Sequence, residues 1–133
     1  MSELILISHG QLSVQLKATA EMIMGPQPNV SAVCLMPNEG PEDFRKKLET
    51  TLAGRKDVTV FADLLGGTPA NIASRLLLEG KADYALYAGM NLPMVISFIN
   101  AELVHTPADY VADAQGGVVS VNALLTAAND DDE

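Results

Sequence analysis

The sequence predicts an α/β fold, an open and mainly parallel four-stranded sheet with helices on both faces. Three observations predict it. Apolar runs of strand length alternate with segments of helical period in a β-α-β-α-β-α-β order. Glycine or proline closes several of the helical segments. Polar residues and glycines gather where the apolar runs end, which in such a sheet is the edge that carries ligand sites. The chain has 133 residues, 48% of them hydrophobic, enough for the core of one domain, expected over residues 1–125.

Residues 4–7 (Leu-Ile-Leu-Ile) read as the first strand. Residues 11–24 form a helix with Leu12, Leu16 and Ile23 on its inward face, closed by Gly25-Pro26. Residues 30–36 are nearly all apolar, as a strand covered on both faces requires. Residues 41–53 place Phe44, Leu48 and Leu52 four apart, with Lys46, Lys47 and Glu49 outward, and Gly54 ends that helix. Residues 58–63 are the third strand. Residues 69–79 are a helix with Ile72, Ala73, Leu76 and Leu77 inward, stopped by Gly80. Residues 84–88 are the fourth strand, and residues 92–101 a helix capped by Asn91. Thr106-Pro107 reads as a cap and first turn of a short helix reaching about Gln115. Residues 118–125 fit a strand or a helix, and the strand is preferred. Residues 126–133 end in Asp130, Asp131, Asp132 and Glu133 and are expected to be a disordered acidic tail.

The formal net charge is −9, from 17 acidic and 8 basic residues. That excludes non-specific nucleic-acid binding, which needs a basic face, and disfavours an anionic membrane surface. The single cysteine, Cys34, rules out an internal disulfide framework and cysteine-ligated zinc, and reads as a core thiol. The apolar run from Leu4 is too short for a signal peptide, and Gly89, Asn91 and Pro93 interrupt the apolar stretch 84–99. A cytoplasmic protein is expected, with any membrane contact made through other proteins.

The chemistry lies at two strand ends. His9 stands where the first strand runs out, followed by Gly10. Imidazole is a competent nucleophile toward phosphorus, provided that its other nitrogen holds the proton. A carboxylate accepting that N–H would fix the tautomer, and Asp63, at the end of the third strand, is the candidate. Alone, His9 could equally be a strand-end histidine that bonds a loop. After Asp63 come Leu64-Leu65-Gly66-Gly67-Thr68-Pro69. Gly66 and Gly67 allow a ligand to approach the backbone closely. Thr68 reads as the helix cap and Pro69 as the first helical residue, which aims a helix N-terminus at the site. Gly10, Gly66, Gly67 and Thr68 are the expected phosphoryl-binding residues, with His9, Asp63 and Thr68 catalytic. Asn71 either braces this loop or faces solvent. No P-loop motif is present, and no lysine or arginine sits in the turns at this edge. That pattern suits a site that holds a phosphoryl group and passes it on. His105 is far along the chain from His9 and reads as a surface residue, so no metal and no cofactor are expected.

Ser8-His9-Gly10, the block Ala62 to Asn71 and the block Gly89-Met90-Asn91-Leu92-Pro93-Met94 together resemble the IIA domain of the mannose family of the bacterial sugar phosphotransferase system. The resemblance covers nearly the whole chain. It implies that His9 accepts a phosphoryl group from the phosphocarrier HPr and passes it to a IIB component, whose sugar enters through membrane IIC and IID proteins. It implies that Asp63 is the hydrogen-bond partner of His9 and that Thr68 contacts the phosphoryl group; Asn71 and Asn91 are expected as supports of the loops. It also implies a homodimer in which an antiparallel C-terminal strand is exchanged, and a free-standing IIA subunit, since no IIB sequence follows. Two other readings share parts of the pattern. The phosphocarrier subunit of a dihydroxyacetone kinase system shares the fold and the early histidine, but lacks the Gly66–Asn71 pattern. A small Rossmann-like hydrolase could use His9 and Asp63 as an acid–base pair.

Overall fold

The computed structural model describes residues 2–131. Its strands are β1 (Glu3–His9), β2 (Val30–Leu35), β3 (Val58–Ala62) and β4 (Ala85–Ala88). Its helices are α1 (Leu12–Met24), α2 (Pro41–Leu52), α3 (Thr68–Leu78), α4 (Leu92–Val104), α5 (Tyr110–Gly116) and α6 (Val121–Asp131). The four strands form one parallel sheet in the order β2-β1-β3-β4. The open parallel sheet with helices on both faces is therefore as the sequence predicts.

Strand alternation divides the core into two layers. Ile5, Ile7, Val60 and Ala62 pack with Phe44 and Leu48 of α2 and with Ile72, Ala73 and Leu76 of α3. Leu4, Leu6 and Phe61 pack on the other face with Ala20 of α1, with Met94, Val95, Phe98 and Ile99 of α4, and with Ala114 of α5. Phe61 is the hub of that second layer. Its ring meets those of Tyr87, Phe98 and Tyr110 edge-on, with centroids 5.8, 6.2 and 5.4 Å away.

Several details differ from the sequence reading. The apolar segment β2 is an edge strand, and Ser31, Ala32, Cys34 and Leu35 are only half-buried. An apolar run reads the same whether one face or both are covered. Leu12 and Ile23 are exposed on α1. Its inward face instead runs through the buried Ser13 and Ala20, with Leu16 and Met24 packed beside the core. Spacings of three and four fit that stripe as well as the leucine-based one. α5 is capped by Asp109, whose side chain accepts from Ala112 N–H, rather than by Thr106.

The expected C-terminal strand is not formed. Residues 121–131 are α6, and the residues before them, 118–120, carry no regular structure. Ala123-Leu124-Leu125-Thr126-Ala127-Ala128 is rich in strong helix formers. Within one chain, Val118, Val119 and Val121 meet no strand edge and stay exposed. The helix also runs through residue 126, where the disordered tail was expected to begin. Residues 132–133 of that tail lie outside the described residues.

Candidate functional site

The order of the sheet builds the site. β1 lies between β2 and β3, so the carboxyl ends of β1 and β3 are neighbours. The ladder runs to Ile7 opposite Ala62, and Asp63 N–H donates to Ile7 O at 3.1 Å. Asp63 stands one residue past Ala62 and His9 two residues past Ile7. Alternation along β1 sends His9 to the same face as Ile5 and Ile7, the face that α3 covers.

The two side chains meet. His9 Nδ1 lies 2.8 Å from Asp63 Oδ2. The same Oδ2 accepts the His9 backbone N–H at 2.9 Å, and Oδ1 accepts Leu64 N–H at 2.9 Å. The Asp63 side chain is 7% exposed and the His9 side chain 46%. A carboxylate only accepts, so this bond puts the ring proton on Nδ1 and leaves Nε2 with a lone pair. The buried partner is pinned by three N–H groups, while the ring it orients is open to solvent.

The glycine turn lies against that ring. Gly66 has φ +89°, a backbone conformation that L side chains rarely adopt. Gly67 has an ordinary φ of −90°, and its requirement is space. A Cβ built there would run into His9 Cε1 and sit 3.1 Å from Nε2. Gly67, rather than Thr68, is the N-cap of α3, which moves Thr68 to the first helical position and Pro69 to the second. A short turn plus a proline tolerated in the first helical turn admits either register. No side chain caps α3, so its first N–H groups and the positive end of its dipole stand beside the imidazole. Among the described residues the Thr68 hydroxyl has no hydrogen-bond partner.

The remaining expected residues divide into two groups. Gly10 has φ +56° and donates its N–H to Leu35 O at 2.7 Å, which fixes the chain just past His9. Asn71 is exposed yet reaches back to Gly66 O through Nδ2 at 3.4 Å, so it both faces solvent and braces the loop. Asn91 makes no bond to His9 or Asp63. Its Oδ1 caps α4 through Met94 N–H at 3.0 Å, and its Nδ2 reaches Ala114 O of α5 at 2.9 Å. Its loop is nonetheless tied to the site, because Gly89 and Met90 both donate to Ala62 O, next to Asp63. His105 is exposed at the far end of α4. There it lines a cavity of about 690 Å³ with Met24, Asp57 and Ile99, at the amino ends of the strands and away from His9.

Sequence reasoning missed the side chains behind His9. Ser8 and Ser13 are both fully buried, and Ser8 Oγ lies 3.1 Å from Gly10 O. A serine at a strand-end position facing the core, with a second serine on the inward stripe of the next helix, was the available signal.

Residues 3–115 match the family model described as PTS system fructose IIA component. The chain is 36% identical over 101 residues to the PTS system mannose-specific EIIAB component of Escherichia coli (strain K12), covering 74% of this chain. It spans only 31% of that longer relative. It is 33% identical to the PTS system sorbose-specific EIIA component of Lacticaseibacillus casei, covering 71% of this chain and 69% of the relative. Among solved structures, phosphotransferase system component EIIA from Streptococcus agalactiae superposes with a TM-score of 0.83 at 25% identity. That match covers 92% of this chain and 99% of the other.

Proposed function

The chain belongs to the family of PTS system fructose IIA components, and on that premise we propose that it is a phosphohistidine carrier whose acceptor atom is His9 Nε2. The observation that carries the proposal is the 2.8 Å bond between His9 Nδ1 and the buried Asp63 carboxylate, with the rest of the ring exposed.

The chemistry follows from that bond. Nε2 attacks the phosphorus of a phosphohistidine on the donor. The new Nε2–P bond forms as the donor's N–P bond breaks, and the donor imidazole departs with the electron pair. The ring of His9 gains positive character as it is phosphorylated, and the Asp63 carboxylate on Nδ1–H stabilises it. The phosphoryl oxygens come to lie at the N-terminus of α3, where unused N–H groups and the Thr68 hydroxyl act as donors. Gly67 leaves room for the ring to sit there. The reverse of the same step, toward a second acceptor imidazole or thiolate, discharges the group.

The donor is HPr and the acceptor a IIB component, in a relay that serves sugar uptake. The protein acts as a phosphotransferase of the cytoplasm. Among the described residues, no helix is long and apolar enough to cross a membrane. We also assign a homodimer. Val118, Val119 and Val121 are exposed, and β4 lies at the edge of the sheet with β3 as its one neighbour among the described residues. A valine-rich segment and an open strand edge are complementary between two copies. In the dimer, residues 118–125 pair with β4 of the second copy, residues 121–125 leaving the helical conformation to do so.

Incubation with phosphoenolpyruvate, enzyme I and HPr tests the relay. The expected product is a phosphoprotein labile to acid and stable to base, and His9→Ala abolishes it. Label that persists in His9→Ala overturns the assignment.

A further inference from the structure

Ser8 occupies the opposite face of the same strand end. Alternation turns it away from α3 and toward α1, where it is fully buried. Its hydroxyl accepts the backbone N–H of Ser13 at 2.8 Å. Its own proton has two acceptors in reach, Gly10 O at 3.1 Å and Ser13 Oγ at 2.9 Å. Ser13 Oγ in turn lies 3.2 Å from Val33 O and 3.3 Å from Cys34 Sγ. A hydroxyl carries one proton. Ser13 donates its proton to Val33 O, and the Cys34 thiol is free to donate to Ser13 Oγ, so the Ser8 proton is shared between Ser13 Oγ and Gly10 O.

The bond to Gly10 O completes the restraint on the peptide that follows the acceptor histidine. His9 N–H is held by Asp63 and Gly10 N–H by Leu35 O. Gly10 itself is in the left-handed region, at φ +56°, and glycine is the residue with the greatest freedom to leave it. The Ser8 hydroxyl is what holds the Gly10 carbonyl. Without it, rotation about Gly10 displaces the His9 backbone and swings the imidazole relative to Asp63.

We propose that Ser8 is a positioning residue for His9: through Gly10 O its buried hydroxyl fixes the backbone that aims Nε2. The rate arm of the test rests on the relay reading, whereas the spectroscopic arm does not. In protein with 15N-labelled histidine, the parent gives one set of His9 ring signals, with the proton on Nδ1. Ser8→Ala gives a second set or a mixed-tautomer average. Its limiting rate of phosphorylation by phospho-HPr falls about tenfold, with the half-saturating HPr concentration unchanged. Ser8→Thr, which keeps Oγ, recovers both. Ser13→Ala serves as control. It removes a neighbouring buried hydroxyl but leaves Gly10 O as the acceptor for Ser8, so its rate and His9 spectrum stay those of the parent. Should Ser8→Ala fold poorly, Ser8→Cys, close in size and a weaker donor, is read by the same criteria. A parent-like spectrum and rate in Ser8→Ala overturn the proposal. A folded Ser8→Thr as slow as Ser8→Ala also overturns it. If the parent itself takes no label from HPr, the relay reading falls, and the His9 spectra still decide the role of Ser8.

Discussion

At the scale of single residues, the site is a division of labour between two strand ends. The His9 ring is half-exposed and the Asp63 carboxylate is nearly buried. The proposed transfer from a protein donor needs the first property, and a fixed tautomer needs the second. Asp63→Asn keeps the size of the side chain but replaces an obligate acceptor with a group that can also donate. The fold is expected to survive, and transfer to slow by about two orders of magnitude. Parent-like rates in rapid-quench measurements would remove Asp63 from the mechanism. Gly67→Ala makes a different kind of change. Its backbone φ of −90° suits alanine, but the new methyl occupies the place of the imidazole. We expect a protein of near-parent thermal stability that labels at least about tenfold more slowly, because the ring is displaced from the start of α3. Equal labelling rates would show that the ring sits elsewhere in solution.

At the scale of elements, the loops of the site are held by short polar bonds and by the aromatic layer beneath them. Asn91 joins the cap of α4 to the end of α5. Asn91→Ala is expected to cost about 1–2 kcal/mol in denaturant unfolding, the usual value of a lost helix cap with a second bond added. An unchanged midpoint would mean that water replaces both bonds without loss. Phe61 projects from β3 among Phe98, Tyr87 and Tyr110 and is fully buried. Phe61→Ala should cost about 3–5 kcal/mol. A loss below about 1 kcal/mol would show that α4 and α5 collapse into the space. The pair α2 and α3 is joined at the surface by Arg45, which reaches Glu49 at 2.8 Å and Glu79 at 2.6 Å. That is a network built on one guanidinium rather than an isolated pair.

At the scale of the whole molecule, stability should fall at both ends of the pH range for separate reasons. The Arg45 guanidinium holds the Glu79 carboxyl below its ordinary value of 4.5, and the Lys47 ammonium does the same for Glu39. A carboxyl depressed in the folded state stabilises fully above its unfolded value. That contribution is lost as pH falls from about 4.5 through the folded values. Burial raises the Tyr84 phenol from 10 to about 12, and its hydroxyl donates to Ala73 O at 2.6 Å. A raised value has the opposite sign: the stabilisation is complete below pH 10 and disappears as pH approaches 12. Denaturant midpoints across the two windows check this. Glu79→Gln should flatten the acid limb and Tyr84→Phe the alkaline one. Unchanged limbs would exclude these groups as the cause. The assembly carries one further expectation. A chain ended at Gly117 should sediment as a monomer, because in the proposed dimer the exposed valines that follow supply the pairing between copies. A dimer of unchanged affinity would place the interface elsewhere.

The sequence alone determined what depends on period and on neighbouring residues. The apolar run Leu4–Ile7 of β1, the helical spacing of Phe44 and Leu48, and the glycine-threonine-proline turn after Asp63 are local patterns, and each forms in the structure. His9 and Asp63 could be placed on one sheet edge because right-handed crossovers put every strand-to-helix turn there. The tertiary structure decided what depends on contact between distant segments. It made β1 and β3 neighbours, and so set the bond between His9 and Asp63. It turned Ser13 rather than Leu12 toward the core, because a stripe of small residues and a stripe of leucines share the same helical spacing. It also set residues 121–131 as a helix. A segment that is both valine-rich and alanine-leucine-rich has no single local preference, and the presence or absence of a strand edge beside it settles the choice.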